Sequence, residues 1–175
     1  MSLSTIVKQT FRELEDLHAK EVREKLISLR NLPTVVPGTT LCVFGWPAEW
    51  FAEDVLKTVE AWGCRGQIDF LYMPRDFRLG RSFGECFFNA ISVDEVLSLW
   101  AKMDGKWLRG QQLRVHWATK VQGLDALIEK YRNFSIMHSS VPWDAKPLLL
   151  TDGLHTPFPP PTRKLTKPRL RPPGK

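Results

Sequence analysis

Aromatic rings and cationic side chains are the groups in this chain whose chemistry suits a ligand. Phe87 lies in an alternating run from Gly84 to Ala90, and Phe44 lies in a second apolar run from Leu41 to Trp46. Rings exposed on a strand stack on nucleobases, and cationic side chains neutralise phosphates. We therefore predict a surface for single-stranded nucleic acid. Its candidate residues are Phe87, Phe44, Arg114, His116, Arg75, Arg78 and Arg81.

The same residues also have a purely structural interpretation. The arginines at positions 75, 78 and 81 fall in a breaker-rich loop, where a solvated turn needs no ligand. The ring of Phe87 is also a candidate for burial beneath a helix that follows the sheet. Both interpretations stay open at the level of sequence.

No pattern in the sequence supplies catalytic or metal-binding chemistry. The three cysteines, Cys42, Cys64 and Cys86, are scattered, and the four histidines are isolated from one another. The chain contains no Cys-x-x-Cys pair, no phosphate-binding glycine loop and no nucleophile elbow. We therefore predict no enzyme activity, no metal and no cofactor. Unpaired cysteines of this kind are typical of reduced, intracellular proteins.

The net charge of +6 is unevenly distributed along the chain. Residues 162–175 carry six basic side chains and no acidic one, whereas the other 19 basic residues are balanced by 19 acidic ones. Long-range attraction to phosphate is therefore expected mainly from this tail. The predicted phosphate contacts there are Arg163, Lys164, Lys167, Arg169 and Arg171.

A small sheet must position the candidate residues. Apolar alternation predicts strands over 40–46, 67–73, 81–90 and 112–117, and helical periodicity predicts helices over 52–62 and 93–103. The order β-α-β-β-α-β is typical of an α+β, ferredoxin-like sandwich, with two helices on one face of an antiparallel sheet. Alternation then directs Cys86, Phe88 and Ala90 into the core. Arg114 and His116 point outward from the fourth strand.

Further segments flank this sandwich. Residues 1–36 are predicted to form an amphipathic helix (4–30) and a linker, with a mixed polar face that argues against a membrane and suits a protein partner. Residues 37–120 form the sandwich, and residues 121–155 contain a third helix (122–133) whose apolar side must be buried. Residues 156–175 are a Pro-rich, basic tail that is predicted to be disordered.

Two strands match, with substitutions, the paired signatures of an RNA recognition motif. The longer signature is Lys/Arg-Gly-Phe/Tyr-Gly/Ala-Phe-Val-x-Phe/Tyr, and its third and fifth residues stack on bases. Aligned on Gly84, Phe87 fills the fifth position, but Glu85 fills the third, and Cys42 replaces the ring of the shorter signature. A stacked base contributes about 1–3 kcal/mol. The missing rings therefore predict a reduced affinity, with Phe44 as a partial substitute.

From Ile68 onward the chain resembles the C-terminal RNA recognition motif of the Mei-two-like proteins, which regulate meiosis and development in fungi, plants and protists. The short segments that match extend beyond the sandwich into the residues that follow it. They are Ile68–Phe77, Gly84 with Phe87–Asn89, Gln122–Asp125, Tyr131–Asn133, Met137–Pro142, Lys146–Pro147 and Pro157–Thr162.

The resemblance implies an RNA-binding module over 37–120 with a family extension over 121–155. It further implies no catalysis, a place in the nucleus and/or cytoplasm, and a role in post-transcriptional regulation during meiosis. Two positions depart from the family on or beside the binding face. Glu85 stands where an aromatic residue is usual, and Gly45-Trp46 replaces Asn-Ile or Asn-Leu.

Three functions are compatible with these residues. The first is binding of single-stranded RNA on the sheet, assisted by the basic tail. The second is a protein-interaction domain that has kept the fold and lost most RNA affinity; Glu85, Cys42 and the neutral folded part motivate it. The third, an enzyme on the same fold, has no supporting motif.

Overall fold

The computed structural model describes residues 36–168. The helix predicted over 4–30 and most of its linker lie outside this range, so the predicted partner surface at the N-terminus is not described. Arg169 and Arg171 of the tail also lie outside it. No helix within the described residues is long and apolar enough to cross a bilayer.

Six strands form one antiparallel sheet. They are β1 Thr40–Phe44, β2 Ile68–Tyr72, β5 Glu85–Ala90, β8 Arg114–Trp117, β9 Leu148–Thr151 and β10 Leu154–Thr156, in the spatial order β10-β9-β2-β5-β1-β8. The four strands β2-β5-β1-β8 are those of the predicted ferredoxin-like sandwich, so the fold class is confirmed.

The predicted alternation on the central strands is correct. Cys86, Phe88 and Ala90 of β5 are buried together with Leu41 and Val43 of β1. Cys42 pairs with Phe87, and Phe44 pairs with Glu85, so these four side chains share the opposite face. On β8, Val115 is buried, and Arg114 and His116 are exposed on the face of Phe44.

Two helices cover the buried face, as predicted. They are α1 Ala52–Val59 and α2 Val93–Met103. Ser92 begins α2, because its Oγ accepts a hydrogen bond from the backbone N–H of Glu95 at 3.2 Å. The helix that includes α1 was predicted to extend over residues 52–62. In the structure the α-helical geometry of α1 ends at Val59, and a π-helical turn, Glu60–Cys64, follows and closes at Gly63, whose φ is 82°.

Two predicted strands, 81–90 and 112–117, are each interrupted in the structure. Arg75–Asp76 (β3) and Arg81–Ser82 (β4) form a separate hairpin, as do Trp107–Leu108 (β6) and Gln111–Gln112 (β7). Pro74 has no N–H for the ladder, and Gly84 adopts a φ of 76° between β4 and β5. The carbonyl of Gly84 instead accepts hydrogen bonds from the N–H groups of Gly45 and Trp46, at 3.0 and 3.1 Å.

The C-terminal extension is part of the folded domain. Helix α3, Leu124–Arg132, packs on the open face of the sheet, and its buried residues Leu127 and Tyr131 join a second hydrophobic cluster with Phe70 and Leu149. Two 3-10 turns, Ser135–Met137 and Trp143–Ala145, lead into β9. The apolar side predicted for the third helix is therefore buried against the sheet.

The hairpin β9–β10 was not predicted. β9 pairs with β2 through Leu149 opposite Phe70, and consecutive residues of β9 are buried on both sides of the sheet. A two-residue turn, Asp152-Gly153, joins the strands, and both residues have positive φ values of 52° and 77°. Asp-Gly between apolar residues is a hairpin signal that sequence reasoning overlooked.

The ordered chain also extends further than the sequence predicted. Disorder was predicted from residue 156, yet Phe158 packs against the second cluster. Arg132 donates hydrogen bonds to the carbonyl of Pro160, at 2.9 and 2.6 Å. The backbone N–H of Thr162 donates to Asn133 Oδ1 at 3.0 Å. Proline fixes the backbone in an extended form without internal hydrogen bonds, so side chains of α3 and its C-cap can bond the segment directly.

Candidate nucleic-acid interface

The sheet face opposite α1 and α2 is divided into a covered half and an open half. The extension covers β2: the ring of Tyr131 lies 5.4 Å from that of Phe70 and 5.0 Å from that of Tyr72, measured between centroids. Phe70 is fully buried as a result. The half formed by β1, β8 and the start of β5 stays accessible, so any ligand on the sheet must bind there.

A groove of about 530 Å³ runs between this open half and α3. Its size is in the range of small-molecule sites. The sheet contributes Cys42, Phe44, Glu85, Phe87 and His116. The segment after β8 and helix α3 contribute Lys120, Val121, Leu127, Lys130 and Tyr131.

Phe44 and His116 form the exposed aromatic part of the groove. Phe44 is 41% exposed, although it lies on a central strand. The ring of His116 meets it edge-on, with the centroids 5.6 Å apart and an interplanar angle of 75°. The face of Phe44 that His116 leaves free offers a stacking surface. The predicted residues Phe44, His116 and Arg114 are thus brought together on one face.

Phe87 lies partly beneath α3 and partly open to the groove. Its ring is half-buried and packs against the cluster of Phe70, Leu127 and Tyr131, while it also lines the groove. α3 therefore covers part of a ring that the signature assigns to stacking. Only the part that faces the groove is accessible to a base.

Glu85 contributes a negative charge to this apolar surface. It is half-buried and lies directly across from Phe44. Burial, and next the charge of Glu85, raise the pKa of the Cys42 thiol to about 12 and that of the Tyr72 hydroxyl to about 12. Burial, followed by the charges of Tyr72 and Glu85, also raises the pKa of Tyr131 above its usual value. These neighbours are therefore neutral at physiological pH.

Arg75 has a structural role. Its guanidinium donates hydrogen bonds to the carbonyls of Trp50 and Gly80, at 2.5 and 2.9 Å, and lies 3.8 Å from the ring centroid of Phe51. These contacts hold the β3–β4 hairpin against the start of α1. Two N–H donors of Arg75 are thus already engaged by the protein.

The other predicted cations lie in three places. Arg78 and Arg81 are exposed on the β3–β4 hairpin and do not line the groove. Arg114 is exposed on β8, across from Phe44. In the tail, Arg163 donates to the carbonyl of Asn133 at 3.4 Å, and Lys164 and Lys167 are exposed. Of these predicted residues His116 lines the groove, Arg114 lies on the same sheet face without lining it, and the loop arginines lie outside it.

Sequence reasoning missed three groove residues. Lys120, Lys130 and Tyr131 reach the groove only because α3 folds back over the sheet. Tyr131 belongs to the segment Tyr131–Asn133, which matches the Mei-two-like proteins, so the resemblance could have indicated that it is part of the site. The two lysines carried no signal in the sequence, since neither belongs to a motif. Among the described residues, no group of acidic, histidine or cysteine side chains could hold a metal ion.

Comparison with known proteins agrees with this architecture. The sequence model of the family RNA recognition motif 2 matches residues 38–132, which is more than half of the chain. The chain belongs to the RNA recognition motif 2 family. The match covers the sandwich and α3, so the helix over the open face lies within the family's own domain.

The curated relatives of this family member are plant Mei2-like proteins. Protein MEI2-like 1 of Arabidopsis thaliana is 30% identical over 119 residues, which are 66% of this chain and 13% of that protein. Protein MEI2-like 2 of Oryza sativa subsp. japonica is 29% identical over 103 residues, 57% of this chain and 12% of that protein. The predicted resemblance is confirmed, and the chain spans about an eighth of the length of these relatives.

Solved structures that are similar to part of this chain include several RNA recognition motifs. The Rna15 RRM with bound RNA (GU) is 19% identical and covers 52% of this chain and 93% of its own, with a TM-score of 0.42. The Sex-lethal RNA recognition domains 1 and 2 from Drosophila melanogaster are 21% identical and cover 55% of each chain, also with a TM-score of 0.42.

Proposed function

We propose that this RNA recognition motif binds single-stranded RNA in the groove between the open half of the sheet and α3. The observation that carries the proposal is the exposed ring of Phe44, set beside His116 and bordered by Lys120 and Lys130. A ring for stacking and cations for phosphate are the two parts that such binding needs.

The covered half of the sheet limits the length of the RNA site. An RNA recognition motif stacks two or three bases on its sheet. Here Tyr131 occupies the surface over β2, and Glu85 and Cys42 replace two stacking rings. We therefore expect a short site on the sheet, micromolar-range affinity and a strong dependence on salt, with Arg114 and the basic tail adding phosphate contacts.

A titration of labelled single-stranded RNA tests this proposal. Phe44→Ala should weaken binding by about 5- to 150-fold, the loss expected for one stacked base. Phe83→Ala is the matched control, because Phe83 is an exposed ring outside the groove. A chain ending at Arg163 keeps the contacts to Asn133 and removes most of the tail charge. If Phe44→Ala binds like the unmodified chain while the shortened chain fails to bind, the sheet does not bind RNA.

A protein-interaction domain is the second candidate. The cover over β2 and the carboxylate of Glu85 in the open half both reduce the surface for RNA. Under this alternative, a pull-down with the full chain should recover a protein partner in stoichiometric amount. Treatment with ribonuclease should not release that partner. Sub-micromolar, sequence-selective RNA binding would exclude it.

The cellular setting is proposed from the resemblance to Mei2-like proteins. We infer a place in the nucleus and/or cytoplasm and a role in post-transcriptional regulation during meiosis. Imaging of a fluorescently tagged full chain through meiosis would test this. Accumulation of the tagged chain in the secretory pathway would contradict it.

A further inference from the structure

Within the part of the chain that the structure describes, the carboxylate of Glu85 is a charged group in the groove without a protein partner. Across residues 36–168 it makes no ion pair and no side-chain hydrogen bond, although it is half-buried beside Cys42, Phe44 and Phe87. Placing a charge on an apolar surface is costly unless something bonds to it. A ligand that donates hydrogen bonds to Glu85 would compensate for that cost.

The chemistry of the carboxylate restricts which part of an RNA can face it. An ionised carboxylate only accepts hydrogen bonds, so it repels phosphate and needs N–H or O–H donors. Lys120 and Lys130, which also line the groove, are the groups that suit phosphate. The base edge would therefore face Glu85, and the sugar–phosphate chain would run along the lysines.

The register of the sheet places Glu85 at the edge of a stacked base. Glu85 lies directly across from Phe44, and side chains in such pairs have Cβ atoms about 4.5–5.5 Å apart. Phe87 is two residues along on the same face, about 7 Å away along the strand. A base stacked on the free face of Phe44 thus presents its polar edge within reach of the carboxylate.

Guanine is the base whose edge fits best. Its Watson–Crick edge presents the N1–H and the N2 amino group side by side, and two parallel donors match the two oxygens of a carboxylate. Adenine and cytosine each place one amino group next to a ring-nitrogen acceptor, and uracil places one N–H between two carbonyls. We propose, on the basis of the RNA-binding function above, that Glu85 selects guanine at the base position beside Phe44.

The test compares five-nucleotide RNAs that differ only at the centre. Fluorescence anisotropy at one fixed salt concentration would measure the full chain against UUGUU, UUAUU, UUCUU and UUUUU. The guanine oligonucleotide should bind about tenfold more tightly than the adenine and uracil ones, in line with a good bidentate pair. A fifth oligonucleotide with inosine at the centre keeps N1–H and loses the amino group, so its affinity should be intermediate. This comparison needs no protein variant.

Glu85→Gln completes the experiment, because it keeps the shape and removes the charge. The variant should lose the preference for guanine and bind the uracil oligonucleotide at least as well as the unmodified chain, since repulsion of phosphate is gone. Asp94→Asn is the matched control: it makes the same charge change at an exposed position on α2, which packs on the opposite face of the sheet.

The outcomes separate the two proposals. Binding of all five oligonucleotides with equal affinity would overturn the selection of guanine and leave RNA binding standing. Retention of the guanine preference in Glu85→Gln would also overturn the role of Glu85. Failure of every oligonucleotide to bind would overturn the proposed function itself. If an arginine-containing peptide binds in a manner that depends on Glu85 while RNA shows no base preference, the carboxylate serves a protein partner instead.

Discussion

The side-chain amide of Gln122 pairs with the backbone of Thr40 as a neighbouring strand would. The N–H of Thr40 donates to Gln122 Oε1 at 2.8 Å, and Gln122 Nε2 donates to the carbonyl of Thr40 at 2.9 Å. Gln122 Nε2 also donates to the carbonyl of Ala118 at 2.8 Å. These bonds fix the point at which the chain leaves β8 and turns towards α3, so they set the position of the groove wall.

We predict that Gln122→Ala destabilises the domain by about 1–3 kcal/mol, because it removes the acceptor for the backbone N–H of the buried Thr40, whereas the Thr40 carbonyl still accepts from the N–H of Ala118. Urea unfolding would measure the change in the free energy of unfolding. Gln111→Ala, at an exposed position, is the control and should change it by less than about 0.5 kcal/mol. Equal stability of the two variants would show that Gln122 is not an anchor.

A second prediction concerns Tyr131, whose ring covers Phe70 and Tyr72. Tyr131→Ala should cost about 3–5 kcal/mol, as for other large buried rings, because the cluster beneath α3 loses its central ring. Tyr131→Phe keeps the ring and should cost less than about 1.5 kcal/mol. Denaturant unfolding compares the two variants.

The neighbouring ring of Phe134 provides the control for that comparison. It lies 6.0 Å from Tyr131 between centroids but is exposed, so Phe134→Ala should cost far less than Tyr131→Ala. Similar losses at positions 131 and 134 would mean that the extension is not packed on the sheet through Tyr131.

The third prediction is a loss of stability at alkaline pH. Burial, and then the charge of Glu85, hold the pKa of Tyr72 and of Cys42 at about 12 in the folded protein, compared with ordinary values of 10 and 9. Between these values the unfolded chain releases the proton while the folded chain keeps it. The free energy of unfolding should therefore fall as pH rises above about 9, by at most about 1.4 kcal/mol per pH unit for each group.

Tyr72→Phe tests the contribution of one of these groups. Urea unfolding at intervals from about pH 8 to about pH 11.5 should show a shallower decline above about pH 10 for the variant, because one released proton is missing from the unfolded state. Below about pH 9 the free energy of unfolding should depend on pH in the same way for both proteins. Parallel curves in the alkaline range would show that Tyr72 titrates normally in the folded protein.

The fourth prediction concerns the salt dependence of RNA binding. Lys164 and Lys167 are exposed, and Arg163 is held near Asn133. Replacing Lys164 and Lys167 with Gln should reduce the slope of log K against log salt by about 0.7 for each phosphate that the tail no longer neutralises. Arg78→Gln combined with Arg81→Gln, outside the groove, is the charge-matched control. If the control pair changes the slope more than the tail pair does, the RNA phosphates contact the β3–β4 hairpin rather than the tail.

The local pattern of residues was sufficient to predict the sandwich and part of the candidate site. Strand alternation depends on nearest neighbours, so the burial of Cys86 and Phe88 and the outward direction of Arg114 and His116 followed from the residues alone. The segments that match the Mei-two-like proteins indicated in addition that residues 121–155 belong to the domain. The hairpin β9–β10 had a local signal in Asp152-Gly153, but its pairing with β2 joins segments that are distant in the chain.

The ferredoxin-like order, the core alternation of the central strands, and the missing rings at Glu85 and Cys42 can all be read from the residues. Which of the candidate groups are accessible to a ligand depends on how distant segments pack together. Arg75 is engaged by the carbonyls of Trp50 and Gly80, and Phe87 shares its ring with the cluster around Tyr131. Lys120 and Lys130 enter the site because α3 returns over the sheet. The physical reason is that exposure depends on packing between remote segments, which the periodicity of any single element does not encode.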